Sequence, residues 1–298
     1  MPTRVVRSPV LSIPVVPSPV GVHAFTAGGL AKGAFPYARD LAAEAVQVFV
    51  SNPRGWATPA EKPGEDEGFG GLCAEAGMPV FIHSPYLVNL GSPDDAVARK
   101  SAGALLYSLE RGRAMGARGV IFHAGSAVRA GERAAARARS REWLLPLLDA
   151  ASAPGMPRLL VEPTAGGGES LASTVPEVSL YLDSVDDERL GLCLDTCHFF
   201  AAGHDTSSAP AMTVLLDELH AVIGHERLAL IHANDSAEPC GSKRDRHANI
   251  GCGHIGAAPF AALFTHPLTA GVPMVVETPG KAENHAADLA CLRALRSP

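Results

Sequence analysis

The sequence predicts a single α/β domain closed into a (β/α)8 TIM barrel. From Val20 onward short β-rich apolar runs alternate with longer stretches of helical period, and eight such pairs span the chain. An open doubly wound sheet is the competing architecture, but no G-x-G-x-x-G follows the first strand, and Ala27-Gly28-Gly29 reads as a turn into the first helix.

In chain order, the apolar runs that read as strands are Val20–Phe25, Ala45–Val50, Val80–Ser84, Gly119–His123, Arg158–Glu162, Leu190–Asp195, Leu228–His232 and Pro273–Glu277. Between them, helical periodicity covers Leu30–Leu41, Gly68–Ala76, Asp95–Met115, Gly131–Ala150, Val175–Leu182, Pro210–Gly224, Ala257–Phe264 and Ala282–Leu295. The richest breaker segment, Pro53–Glu67, is placed as a long loop after the second strand. Arg133, Arg137 and Arg141 repeat at spacing four and are expected to form a solvated face of the fourth helix. No linker divides the chain. Met1–Pro19 is read as an irregular extension and residues 20–298 as the barrel domain.

Composition narrows the function classes. Hydrophobic residues at 47% and charged residues at 19% are ordinary for a globular protein and exclude a disordered one. No apolar run approaches a membrane span, and prolines after Arg7 interrupt any signal-peptide core, so a cytoplasmic location without membrane association is expected. The six cysteines are too sparse for a disulfide scaffold, and Cys193 and Cys197 lack the second pair that a zinc site of that type needs. A net charge of −6 argues against nucleic-acid binding through overall positive charge, unless the site itself holds cations.

The polar residues at the strand ends carry the chemistry. His83, His123, Glu162, Asp195, His232 and Glu277 each follow an apolar run on six consecutive strands, and the C-terminal mouth of such a barrel is where functional groups gather. His198 follows Asp195 by three residues. Asp245 and His247 lie in the dense stretch Ile231–Gly253, two residues apart, so that both side chains of an extended loop can turn to one cation. Taken singly, each has a structural explanation as a helix cap or a hydrogen-bonded core group. Together, four carboxylates and five imidazoles crowded on one rim are electrostatically costly without cations. The mixed donor set suits Zn2+, and by ligand type Mn2+ or Fe2+ could substitute at some sites.

These residues lie in stretches through which the chain resembles the endonuclease IV (deoxyribonuclease IV) family, the family-2 apurinic/apyrimidinic endonucleases, from about Val20 to Leu295. The matching segments are VGVHAFTAGGL, NPRGW, HSPYLVNLGSPD, FHAGS, VEPTAGGG, LDTCHFFAAGHD, HANDS with GSKRDRHANIGCGHIG, and ETPG. The resemblance implies three zinc ions. One would be held by His83, His123 and Glu162, a second by Glu162, Asp195, His232 and Glu277, and a third by His198, Asp245 and His247. Glu162 and Glu277 would be catalytic. The implied reaction is hydrolysis of the phosphodiester 5′ to abasic sites in duplex DNA, with trimming of blocked 3′ ends as a further activity, by a monomer with no obligate protein partner.

Arg54, Tyr86, Leu87 and Arg246 match or adjoin DNA-contacting positions, a planar or apolar side chain in the stack helping to eject an abasic nucleotide. Departures from the family are Cys252 between two glycines, where an acidic residue is usual, and Phe25 in place of a small polar residue. His23, His204, His254 and Asp235 are expected to be structural. The alternative function is a sugar isomerase or epimerase on the same kind of barrel, which has no evident need for a third metal.

Overall fold

The computed structural model describes residues 17–60 and 63–296. In chain order its strands are β1 (Val20–His23), β2 (Val46–Phe49), β3 (Val80–His83), β4 (Gly119–His123), β5 (Arg158–Glu162), β6 (Gly191–Asp195), β7 (Leu228–His232), β8 (Asp235–Ser236), β9 (His247–Ala248) and β10 (Met274–Val276). Eight of them close into a parallel barrel in the order β1-β10-β7-β6-β5-β4-β3-β2, while β8 and β9 form a separate antiparallel pair. The expected (β/α)8 closure is therefore present. Of the N-terminal extension, residues 1–16 lie outside the described residues; Ser18, just before β1, donates to the carbonyl of Thr269 at 2.9 Å.

Strand alternation explains the core. Ala45, Phe81, Ile121, Leu160, Cys193, Leu230 and Val275 form a buried cluster of their own inside the barrel, while neighbours such as Val46, Ile82, Val120, Val161, Leu194 and Ile231 belong to the larger cluster packed against the helices. The next position of the same parity, two residues onward, is Gln47, His83, His123, Glu162, Asp195, His232 and Glu277. A polar tier thus sits directly above the apolar one, at the C-terminal mouth.

Helix boundaries differ from the sequence expectation where local chemistry overrides periodicity. The first helical segment splits into a π-helical turn, Leu30–Ala34, and α1 (Phe35–Asp40), because Pro36 has no N–H to continue the ladder and fits only a first turn. Next, α2 (Pro63–Glu75) begins before the expected Gly68, with Glu65 and Asp66 in its first turn, and Asp66 is held by Arg111 of α3 (Asp95–Met115) through Nη2 at 2.6 Å. Two of the three arginines expected on a solvated face of α4 (Arg133–Ala151) are instead tied to neighbouring elements. Arg133 pairs with Glu169 at 3.0 Å and Glu177 at 2.8 Å, and Arg141 donates to the carbonyls of Ser184 and Val185 at the end of α5 (Val175–Val185).

A short unexpected helix, α6 (Thr196–Ala202), follows β6 at once, capped by Asp195, which accepts from the His198 amide at 2.9 Å. It precedes α7 (Ala209–Ile223). The segment expected as one helix at Ala257–Phe264 is a 3-10 turn, Ala258–Ala261, with Pro259 in its first turn, leading into α8 (Ala262–Thr265); α9 (Ala282–Arg296) ends the fold. Among the described residues, no helix is long and apolar enough to cross a membrane.

Candidate metal centre

Register brings the polar tier together. His123 lies beside Glu162 across β4 and β5, and Asp195 lies beside His232 across β6 and β7. Glu162 is fully buried at the centre. Its Oε2 is 3.2 Å from His83 Nε2 and 3.6 Å from His123 Nε2, while Oε1 is 3.0 Å from His232 Nδ1. One carboxylate therefore faces two sets of imidazoles with different oxygens.

The third set comes from loops. After β7 the chain crosses the mouth and returns through the β8–β9 pair, in which Ser236 is registered with His247 and Asp235 with Ala248. This turn places His247 Nε2 at 3.0 Å from Asp245 Oδ1 and 3.5 Å from Asp195 Oδ2; Asp245 Oδ2 is 3.3 Å from His198 Nε2. Asp235 is buried and anchors the return, its carboxylate accepting from the amides of Gly251, Gly253 and Ile255 at 2.9 to 3.0 Å. It holds the loop in place. A Cβ on Gly253 would come within 2.3 Å of the Ser236 carbonyl, so the close approach at that turn requires glycine.

The nine side chains expected from the sequence assemble into three groups whose ligand atoms lie within 4.8 Å of one another: His83, His123 and Glu162; Glu162, Asp195, His232 and Glu277; and His198, Asp245 and His247. Cys197 is also close to Asp195 and His247, but burial, reinforced by Asp195, pushes its thiol up to about 12, and it sits 3.7 Å from the Arg246 carbonyl. It behaves as a neutral buried thiol.

Hydrogen bonds behind the imidazoles test whether cations fit. His83 Nδ1 is 2.7 Å from the Ser84 carbonyl, His198 Nδ1 is 2.9 Å from the Pro163 carbonyl, and His247 Nδ1 is 3.2 Å from the Glu277 carbonyl. A carbonyl only accepts, so each Nδ1 carries the proton and each Nε2 turns a lone pair toward carboxylate oxygen. Lone pair against carboxylate is repulsive unless a proton or a cation lies between them. His198 Nε2 and His247 Nε2 are buried without a hydrogen-bond partner. The donor set and these orphaned nitrogens fit divalent metal ions.

Protonation follows the same crowding. Burial drives the His123 imidazole down to about 4 despite Glu162 beside it. Burial works the same way on His247, yet Asp195 and Asp245 lift it to about 9, and His198 rises well above its ordinary value beside the same two carboxylates. Burial favours the neutral acid at Glu162 and Asp245, but the surrounding imidazoles hold both well below the carboxylate range.

A cavity of about 730 Å3 opens over the cluster, and Glu162, Asp245 and Glu277 line it together with Phe25, Phe49 and Tyr86. Tyr86, 46% exposed, stacks on His123 with ring centroids 5.7 Å apart and 14° between planes. Leu87 beside it is 38% exposed. The Tyr86 amide donates to the Pro53 carbonyl at 2.9 Å, tying this loop to the one that carries the exposed Arg54. Arg246 is exposed and donates to the Asp245 carbonyl.

Sequence reasoning did not single out Gln47 or Asn234, and read His23 as a structural hydrogen-bonding residue. Gln47 hydrogen-bonds Glu277 and His232 from β2, His23 touches Glu277 and lines the cavity, and Asn234 donates to Asp195 at 2.8 Å while accepting the Glu277 amide at 2.8 Å. The signal for the first two was available: both occupy the parity of the polar tier. Phe25, half exposed on the cavity wall, stacks near His285.

A family model described as a xylose isomerase-like TIM barrel matches residues 35–295. A probable endonuclease 4 from Streptomyces avermitilis is 53% identical, covering 94% of this chain and 90% of its own length. One from Nitratidesulfovibrio vulgaris is 36% identical over 93% and 97%. The crystal structure of endonuclease IV from Thermus thermophilus superposes with a TM-score of 0.81 at 35% identity, covering 93% of this chain and 98% of that one. An L-ribulose 3-epimerase, 19% identical with a TM-score of 0.68, shares the fold alone.

Proposed function

This chain belongs to the endonuclease IV family and is a nuclease, and we propose that it is a zinc-dependent apurinic/apyrimidinic endonuclease hydrolysing the phosphodiester 5′ to abasic sites in duplex DNA. The observation that carries this reading is the third group. His198, Asp245 and His247 converge beside the two barrel groups under one open cavity, an arrangement in excess of what proton transfer on a sugar needs. The finer expectations travel with it: a cytoplasmic monomer, with trimming of blocked 3′ ends.

Zinc ions held by the three groups would supply Lewis-acid chemistry, neutralising phosphate charge and activating water. The chain's own residues do the rest. Glu162, ionised and buried, presents one oxygen to each barrel group and keeps them at a fixed spacing. Glu277, on the cavity wall, stays ionised under the field of His232 and the hydrogen bond from His23, despite the opposing effect of burial. Tyr86 and Leu87 stand exposed at the rim, where a planar and an apolar side chain can fill the stack vacated by an abasic nucleotide. Arg54 and Arg246 are exposed on flanking loops with guanidinium groups available to phosphates.

The test is incision of a duplex oligonucleotide carrying one abasic site, with and without chelator, run beside a ketose–aldose isomerisation assay. Chelator-sensitive cleavage 5′ to the site is expected. Isomerisation without incision would replace this reading with the epimerase one.

A further inference from the structure

Gln47 is fully buried on β2, registered with His23 on β1 and Phe81 on β3. Its amide reaches two of the four residues in the central group. Oε1 is 2.9 Å from His232 Nε2, and Nε2 donates to Glu277 Oε1 at 2.7 Å. His23 Nδ1 meets the same Glu277 oxygen at 2.8 Å.

We infer that Gln47 and His23 form a positioning clamp that sets which nitrogen of His232 and which oxygen of Glu277 face a bound metal. The inference rests on reading Glu162, Asp195, His232 and Glu277 as a metal-holding group. An amide oxygen only accepts, so His232 must carry its proton on Nε2 and turn the Nδ1 lone pair inward. That nitrogen lies 3.0 Å from Glu162 Oε1 and 3.2 Å from Glu277 Oε2. Flipping the amide would set its oxygen against the Glu277 carboxylate, so Glu277 itself fixes the orientation.

At the other end of the clamp the logic is reciprocal. An ionised carboxylate only accepts, so His23 donates from Nδ1 to Glu277 Oε1, and the 3.0 Å approach of Gln47 Nε2 to that nitrogen brings two donors to one oxygen. Oε1 is thereby occupied and Oε2 is left for the cation. Leucine or methionine could fill the same space inside the barrel. Neither could choose a tautomer or reserve an oxygen.

The test is Zn2+ binding to the full-length apoprotein, by competition with a chromophoric chelator, for the wild type, Gln47→Met, His23→Asn and His23→Phe. Wild type should take up about three equivalents. Gln47→Met keeps the length and loses the amide; one equivalent is expected to weaken by about 10- to 100-fold while the other two hold and the apoprotein's thermal transition stays in place. His23→Asn keeps a donor near Glu277 and should retain most of the affinity that His23→Phe loses, which keeps the clamp testable if Gln47→Met does not fold. Wild-type Zn2+ affinity in both Gln47→Met and His23→Phe would overturn the clamp, as would His23→Asn losing as much affinity as His23→Phe. A wild-type apoprotein that takes up no Zn2+ would instead overturn the metal reading beneath it.

Discussion

The group His83, His123 and Glu162 and the group His198, Asp245 and His247 use the same donor types and are held in opposite ways. The first stands on three adjacent strands, β3, β4 and β5, with Glu162 sealed from solvent. In the second, His198 comes from a short helix and the other two from a loop return, and the Asp245 side chain is 49% exposed. Strand register sets the first group; turn chemistry at Asp235 and the glycines sets the second. If both groups hold metal, the strand-built one should keep its ion when the loop-built one gives its ion up.

The largest expected effect falls on the shared strand residue. Glu162→Gln should lower incision of an abasic duplex by more than about 100-fold, since even residues behind metal ligands are worth about 10- to 100-fold. DNA binding should be largely kept, because Glu162 is buried beneath the cavity. Steady-state incision and a mobility shift measure the two separately, and an unchanged rate would remove the bridging role.

The loop group should give way more selectively. Asp245→Ala should leave about two metal equivalents of three, because Asp245 belongs to neither of the groups held on the barrel strands. Metal analysis after timed chelation should show the same order in the wild type, one equivalent leaving before the others. Simultaneous loss of all three would mean that the loop and the barrel act as one unit.

How legible these regions were in the sequence follows from the same contrast. A strand shows its inward face at every second residue, so the barrel, its closure and the strand-end residues could be read from apolar runs alone. Gln47 and His23 obeyed the same parity, yet Gln47 was passed over and His23 read as structural, because neither ends its run in the way His83 or His123 does. The loop residues had no periodicity to place them. The His247 return depends on Asp235 gathering amides more than ten residues away, and α6 depends on Asp195 capping a helix that begins where β6 ends. The Asp235 capture leaves no local pattern, whereas the Asp195 cap is local, three residues from His198, and was obscured by the strand end that Asp195 also occupies.

Protonation sharpens the contrast further. His247 sits at about 9 and His198 well above its ordinary value, so a metal entering the loop group near pH 7 must displace protons. Affinity there should rise with pH by up to about tenfold per unit for each proton displaced. His123, at about 4, is already neutral and asks for no proton release in the same range. Despite burial, His232 of the central group is also lifted above its ordinary value by Glu277 and Glu162, so Zn2+ titrations at several pH values should show the equivalent held by His83, His123 and Glu162 as the least pH-dependent of the three. A uniform slope for all three would break the distinction.

The smallest expected effect concerns the rim, which belongs to neither group. Leu87 is partly exposed and adjoins Tyr86, which stacks on His123, so truncating Leu87 should leave both the barrel and the metal content unchanged. What changes is the surface offered to DNA. Burying a leucine side chain is worth about 1.5 to 3 kcal/mol, and Leu87→Ala keeps only the first carbon of it. If the side chain enters the stack opposite a missing base, affinity for an abasic duplex should fall about tenfold, while affinity for an undamaged duplex, whose stack is already full, should not move. Parallel fluorescence-anisotropy titrations with the two duplexes read this ratio directly. An equal fall for both would make Leu87 a general contact, and no fall for either would leave lesion recognition to Tyr86 and the loop that carries Arg54.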